Sequence, residues 1–362
     1  MAEIISIATA VPRYCHRQAD IFQFMQKSYQ LSDEDTRRLK FLYDHSGINT
    51  RYSVVPDYGN LVTEENTRFI PVGEPAVFPS LEKRMEIYHR ESVILSADAI
   101  RQCIQGRISP GQITHLITVS CTGMSAPGLD LQLLQELSLS PDIFRTSVNF
   151  MGCYAAIHAL KLAKMICDST VNANVVIVAT ELCTLHFQQA FTPDNAASSL
   201  LFSDGSAAVF VSNCLVSDNA LSIRGFYSHV TSKGEKDMAW ELSSHGFLMT
   251  LSGYVPQLIQ EDINQLVEKA VSANGIQLSE ITKWCIHPGG KRILDLIQKQ
   301  LSLSDKDLYD SREILYQYGN MSSPTVLFVL KKILDQTDTI HDKILGMAFG
   351  PGLTMETFIA ER

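Results

Sequence analysis

An internal duplication constrains this chain more than any other feature of its sequence. The stretch ISPGQITHLITVSCTG (108–123) has the layout of IQLSEITKWCIHPGG (276–290): a turn, Ile-Thr, an apolar strand and a glycine-bearing loop. Further on, GCYAAIHALKLAKMI (152–166) parallels GNMSSPTVLFVLKKIL (319–334), each a glycine, one polar residue and a helical pattern. Finally NVVIVATE (174–181) parallels KILGMAFG (343–350). Three paired blocks in one order imply two similar halves, 1–215 and 220–362, with the polar stretch VSDNA (216–220) as the junction.

Apolar runs of strand length alternate with amphipathic segments from end to end, the pattern of an α/β fold. HLITVSC (115–121), NVVIVAT (174–180), AAVFVS (207–212), KWCIH (283–287) and ILGMAFG (344–350) read as strands. ESVILSADAIRQCIQ (91–105) and EDINQLVEKAVSANG (261–275) read as helices. With 45% hydrophobic and 19% charged residues, the chain has the apolar surface for a large core. A net charge of −9 without a long basic stripe argues against nucleic acid as the main partner, while leaving room for a local basic patch that binds a phosphorylated ligand. The opening MAEIISIATAVPRYC lacks a basic leader and reads as a strand, so a cytoplasmic protein is expected. No apolar run reaches bilayer-spanning length, so no integral membrane association is expected. The eight cysteines are scattered through apolar stretches, as reduced thiols are, and neither CxxC nor HExxH points to a metal.

The repeat sets Cys153 and Asn320 at equivalent places, each at the start of a helix. His287 ends a strand and precedes the abrupt turn Pro288-Gly289-Gly290. A thiol at a helix N-terminus faces unpaired backbone N–H groups and the positive end of the dipole, which favours thiolate. Small neighbours (Gly152, Ala155, Ala156) leave space for a substrate, so Cys153 is the candidate nucleophile, expected with a depressed pKa. Taken singly, each residue has a plainer reading. A cysteine is more often a buried apolar residue, a histidine before a turn often donates to a carbonyl, and an asparagine there commonly caps a helix. Together, at symmetric ends of two fused halves, they make one pocket.

Here the segments FMGCYAA (150–156), IHPGG (286–290), YGNMSSPTVLF (318–328) and AFGPGLTMET (348–357) resemble the signatures of the chalcone synthase family, the type III polyketide synthases. CTGMSAPGLDLQL (121–133) and LFSDGSAAV (201–209) extend the resemblance over nearly the whole chain, in order. It implies a thiolase-like fold, with the two duplicated α/β halves in a five-layer αβαβα arrangement. It implies a homodimer paired through the strand before the nucleophile, in the VNFMGC region. It also implies an acyltransferase whose substrates are an acyl-CoA starter and malonyl-CoA, with no cofactor and no metal. By that resemblance Cys153 takes the starter, and His287 and Asn320 donate to the thioester carbonyl of malonyl-CoA. Loss of CO2 leaves an enolate in this oxyanion hole, where one donor typically carries on the order of 10²–10³ in rate.

Further positions carry over by the same resemblance. Phe202 matches an aromatic gatekeeper, and the second gatekeeper falls on Met249, a more flexible side chain. Thr122, Cys183, Gly246 and Ser322 match cavity-lining positions, and Gly350-Pro351-Gly352 shapes the wall; core packing is the competing reading for Cys183 and Met249. Ala126 stands where plant members carry Met on a loop reaching into the partner's cavity, and Trp240 near where they carry Gly. The indole is expected to narrow the cavity. For the CoA phosphates, Arg38 matches a basic position, but Phe41 and His45 replace Arg and Lys; Lys40, Arg51, Lys291 or Arg292 are the candidates to compensate. A fatty acyl starter giving an alkylpyrone or alkylresorcinol is the expectation.

The nearest rival is a ketoacyl synthase III-like enzyme making a single condensation, for which the Cys, His and Asn elements also suit. The combination of FGPGLT with YGNMSS favours the type III synthases. A papain-like hydrolase shares the order Cys, His, Asn but not its cysteine motif, and the duplicated layout contradicts it. An intact Cys, His and Asn set argues against a non-catalytic binding protein. The AFGPG loop lacks the GxGxxG or GK[ST] pattern of a nucleotide loop.

Overall fold

A computed structural model describes residues 1–59, 69–70, 78–217, 219–231, 237–253, 255–336 and 342–362. Its first half runs β1 (Glu3–Ala10), β2 (Tyr14–Arg17), α1 (Gln18–Ser28), α2 (Asp33–Asp44), β3 (Thr50–Ser53), α3 (Leu81–Ile104) and β4 (His115–Ser120). There follow α4 (Leu129–Glu136), β5 (Phe144–Asn149), α5 (Ala155–Ser169), β6 (Asn174–Leu182), α6 (Pro193–Leu201) and β7 (Asp204–Ser212). The second half opens with β8 (Leu221–Val230), β9 (Met238–Ser243), β10 (Gly246–Leu251), α7 (Val255–Ala273) and β11 (Lys283–Ile286). It ends with α8 (Lys291–Gln300), α9 (Tyr309–Tyr318), α10 (Thr325–Gln336), β12 (Lys343–Gly350) and β13 (Thr354–Glu361). Each expected strand and helix is present. Helices α3 and α7 begin well before the residues expected; Ser80 starts α3 by accepting from the Lys83 N–H at 3.4 Å. Asp218, within the expected junction, lies outside the described residues.

Alternating burial along the strands stacks the layers. In β6, Val175, Ile177 and Ala179 face one apolar cluster, while Val176 and Val178 face another. In β12, Ile344 and Ala348 face the first cluster, while Leu345, Met347 and Phe349 face a third. The shared middle cluster holds α5 and α10, with strands of both halves against it. Helix α3 covers the outer face of the first half-sheet, and α7 with α8 covers that of the second. The result is the expected αβαβα order. The half-sheets β1-β7-β6-β4-β5 and β11-β12-β13-β8 are also tied into one nine-stranded sheet, through Glu3 opposite Ser222 and Ile4 opposite Leu221.

The repeat holds down to single hydrogen bonds. The Ser109 N–H donates to Gln112 Oε1 at 2.8 Å, and the Gln277 N–H to Glu280 Oε2 at 2.7 Å, closing matching turns. After each turn a threonine N–H, of Thr114 or Thr282, donates to the carbonyl of Asn174 or Lys343 at 2.9 or 3.0 Å. The same two residues donate their N–H back to those threonine hydroxyls, at 2.9 and 3.0 Å. The halves part company just before the site. The first half enters its central helix from strand β5, whereas the second approaches from helix α9. Among the described residues no helix is long and apolar enough to cross a membrane.

Candidate active site

Past β5 the chain turns back through Phe150 (φ 58°) and Gly152 (φ 75°), and a 3-10 turn Gly152–Tyr154 feeds Cys153 into α5. A Cβ on Gly152 would lie 2.1 Å from Pro351 Cδ, so glycine is needed for both the left-handed backbone and the close approach of the Pro351 loop. The Gly152 N–H donates to Cys121 Sγ at 3.0 Å, which anchors the turn to the end of β4. Cys153 Sγ–H donates to Ser322 Oγ at 3.5 Å.

The second half supplies the other two residues by a different route. Asn320 is not at the start of α10, as expected; a turn through Ser322 (φ 59°) intervenes. Its backbone bridges the α6 end, with Asn320 N–H donating to the Leu201 carbonyl at 3.0 Å and the Ser203 N–H donating to the Asn320 carbonyl at 2.9 Å. Asn320 therefore sits beside Phe202. Its Oδ1 accepts from the Ser322 N–H at 2.7 Å, an obligate donor that fixes which way the amide points. The Nδ2 donor makes a long contact, 3.5 Å, to the Gly289 carbonyl and also lies within reach of the Cys153 sulfur. His287 ends the β11 run, its N–H on the Met347 carbonyl at 2.8 Å, and neither ring nitrogen has a partner among the described residues. Buried polar groups left unpaired are expensive, and here they face a cavity a ligand can enter.

The expected thiolate is not what these surroundings favour. Burial pushes the Cys153 thiol up to about 11; hydrogen bonds with Ser322 and Asn320 oppose this and are outweighed. Burial also pushes His287 down to about 3. Both shifts favour the neutral form: at Cys153 hydrogen bonds offset only part of the desolvation, and at His287 desolvation is unopposed.

These residues line a cavity of about 430 Å³. Its wall includes Thr122, Cys183, Phe202, Trp240, Met249, Ser322 and Pro351, all expected, and Phe349, which was not. Met249 and Trp240 lie directly opposite in the β9–β10 ladder, so both side chains leave the same face and enter the cavity together. The hairpin forms a separate two-stranded sheet, marginal on its own. It is held by Trp240 Nε1–H donating to the Cys121 carbonyl at 2.7 Å and by the Phe247 N–H donating to His186 Nδ1 at 3.2 Å. His186 in turn donates from Nε2 to the Thr122 carbonyl at 2.7 Å.

Against known proteins, residues 1–214 match the N-terminal domain of chalcone and stilbene synthases, and 227–362 the C-terminal domain. The chain belongs to the chalcone and stilbene synthase family. It is 29% identical to an "alpha-pyrone synthesis polyketide synthase-like" protein of Mycobacterium tuberculosis, over 98% of this chain and 90% of that protein. It is also 29% identical to a putative chalcone synthase of Bacillus subtilis, covering 99% and 98%. The crystal structure of PKS-I from the brown alga Ectocarpus siliculosus superimposes with a TM-score of 0.94 at 26% identity, covering 100% of this chain and 98% of that one. A type III pentaketide synthase of Neurospora crassa shares the fold, with a TM-score of 0.87 at 24% identity.

Several residues expected at this synthase's site lie elsewhere. Arg51 is buried: its Nε donates to Gln18 Oε1 at 2.9 Å and its Nη1 to the Phe202 carbonyl at 2.6 Å. It braces the Phe202 backbone from behind and does not line the cavity. Arg38 is paired with Glu34 and Asp35, and Lys40 with Asp44, and neither lines the cavity; Lys291 and Arg292 do. Ala126 is exposed and outside this chain's cavity. Gly246 begins β10 behind the wall, against Arg84, Gly350 packs behind Tyr154, and Gly352 lies against the Thr354 hydroxyl.

Sequence reasoning missed Glu181. Its fully buried carboxyl accepts from the Cys121 N–H at 2.9 Å, Thr122 Oγ1 at 3.0 Å and Ser323 Oγ at 2.8 Å, tying both halves together under the cavity floor. Burial raises it to about 7 despite those donors. An acid closing an otherwise apolar strand, NVVIVATE, was the signal available. No group of three or more His, Cys, Asp or Glu among the described residues is placed to hold a metal.

Proposed function

We propose that the enzyme takes a fatty acyl starter from CoA onto Cys153, decarboxylates malonyl-CoA against His287 and Asn320, repeats the Claisen condensation, and cyclises the product to a pyrone, a resorcinol or a related ring. The convergence of Cys153, His287 and Asn320 on one apolar cavity behind Phe202 and Met249 carries this reading. In loading, the thiol sulfur attacks the starter carbonyl, its proton passes to the neutral imidazole, and CoA leaves with a proton. In decarboxylation, the malonyl C–C bond breaks, CO2 departs, and the electron pair moves onto the thioester oxygen. That oxygen is met by the imidazole N–H and by Asn320 Nδ2, whose direction is set by the Ser322 N–H. The carbanion then attacks the acyl group on Cys153, the acyl–sulfur bond breaks, and sulfur leaves as thiolate, which regains a proton from solvent. CoA thioesters suffice; no cofactor enters.

A flexible Met249 facing Trp240, with Leu200, Leu201 and Leu251 nearby, suits an aliphatic chain better than a rigid ring. The printed name of the Mycobacterium tuberculosis relative also favours a pyrone. Purified enzyme given malonyl-CoA and a panel of acyl-CoAs should yield masses of alkylpyrones or alkylresorcinols. A preference for p-coumaroyl-CoA over every aliphatic ester would overturn the starter, and no extension from malonyl-CoA would overturn the reaction.

We propose a cytoplasmic homodimer. Strand β5 lies at the end of the sheet, and apart from Val148 its residues are exposed, Phe144 to 70%. An edge of this kind is suited to pairing with a copy of itself about a two-fold axis. Ala126 would then face the cavity of the other protomer. Sedimentation at monomer mass would overturn the pairing.

A further inference from the structure

Two helices contribute the mouth of the cavity, where large apolar side chains stand beside cations most of which are already paired. From α2 and the turn after it come Phe41, Leu42, His45 and Ser46; from the start of α8 come Lys291, Arg292 and Ile293. Phe41 is 61% exposed and Leu42 44%, large apolar surface at an entrance. The Phe41 ring stacks on His45 with centroids 4.1 Å apart. His45 Nδ1 is 2.8 Å from the Phe41 carbonyl, an acceptor, so Nδ1 carries a proton and the ring is held against its own helix. The nearby cations are engaged within their own helices: Arg38 with Glu34, Lys40 with Asp44 at 2.6 Å, and Lys291 with Asp295 at 3.0 Å. Asp295 also holds Arg312 at 2.7 Å. Among the described cations lining the cavity, Arg292 alone makes no ion pair.

We propose that this mouth reads the pantetheine arm and acyl chain of its thioester and is indifferent to the 3′-phosphate of CoA, with Phe41 and His45 setting that specificity. The inference rests on the thioester-loading function proposed above. The 3′-phosphate carries about two negative charges and binds well only where unpaired cations converge. Arg38, Lys40 or Lys291 would each have to exchange a carboxylate for it, leaving that carboxylate nearby to repel it. Exposed pairs of this kind contribute little net. Phe41 contributes no donor at all, while the apolar rim lies along the path of a flexible arm and an aliphatic chain.

Loading of Cys153 by decanoyl-CoA, decanoyl-dephospho-CoA and S-decanoyl-pantetheine, followed by intact-mass spectrometry, tests this. The first two second-order rate constants should agree within about fivefold, the ceiling for a single exposed ion pair. Raising NaCl from about 50 to 500 mM should change the decanoyl-CoA rate less than about twofold, since few charge contacts are there to screen. A drop of more than about tenfold on removing the 3′-phosphate would overturn the proposal. Phe41→Arg should create a preference for CoA over dephospho-CoA, and an unchanged ratio would overturn the assignment to this rim. Absence of loading from all three thioesters would instead overturn the loading function itself.

Discussion

The two halves of this synthase solve the same folding problem and then diverge at one corner. In the first, strand β5 and a glycine turn deliver Cys153 directly into α5. In the second, helix α9 replaces the strand, and an added turn leads to α10, so that Asn320 lies outside the helix with its side-chain amide oxygen held by the Ser322 N–H. One corner presents a thiol to the cavity and the other a side-chain amide. Matching turns and layers thus hold the two corners in register, while a few residues of local backbone decide which side chain each presents to the cavity.

The largest expected effect breaks the comparison outright. Cys153→Ala should abolish acyl-enzyme formation with the fold intact by circular dichroism; an acyl adduct remaining in intact-mass spectra would remove Cys153 from its role. Next comes the donor corner. Asn320→Ala should lower malonyl-CoA decarboxylation on the order of 10²–10³-fold while starter loading changes only severalfold. His287→Ala should impair both steps. Equal losses in loading and decarboxylation for Asn320→Ala would contradict the division of labour between the halves.

A third test sharpens the comparison through pH. With the Cys153 thiol pushed up to about 11 by burial, its thiolate fraction rises as pH rises toward that value. Alkylation of Cys153 by iodoacetamide in the free enzyme should therefore increase by up to tenfold per pH unit between about 7 and 9. A rate already flat from pH 6 upward would show a thiol ionised at rest, returning control to the helix end. The smallest effect concerns the wall both corners share. Starter preference should climb by up to about fourfold in kcat/KM for each added methylene until the cavity is full. Trp240→Ala should move that limit to longer chains, and an unchanged chain-length profile would show that the indole does not bound the cavity.

Much of this was legible in the chain. The repeat could be read because its turns are closed locally, by Ser109 with Gln112 and by Gln277 with Glu280, so similar residues recur at similar spacing. Cys153, His287 and Asn320 could be read because each sits at a turn whose glycines and proline mark it. Arg51 could not. Its residue type suits a phosphate site, yet Gln18 and the Phe202 carbonyl, distant in sequence, draw it inward. Arg38 and Lys40 lie outside the cavity lining, and acids one helical turn away engage them, which residue type alone does not reveal.

What the sequence by itself determined was therefore the layered α/β scaffold, its duplication and the three residues at its centre, all of which depend on short-range pattern. Tertiary structure alone decided the charge state of the thiol and imidazole, the pairing of Met249 with Trp240 across one wall, and the buried Glu181 beneath the floor. Desolvation is the reason. Its cost depends on everything that excludes water from a group, and in this protein that enclosure is assembled from both halves at once.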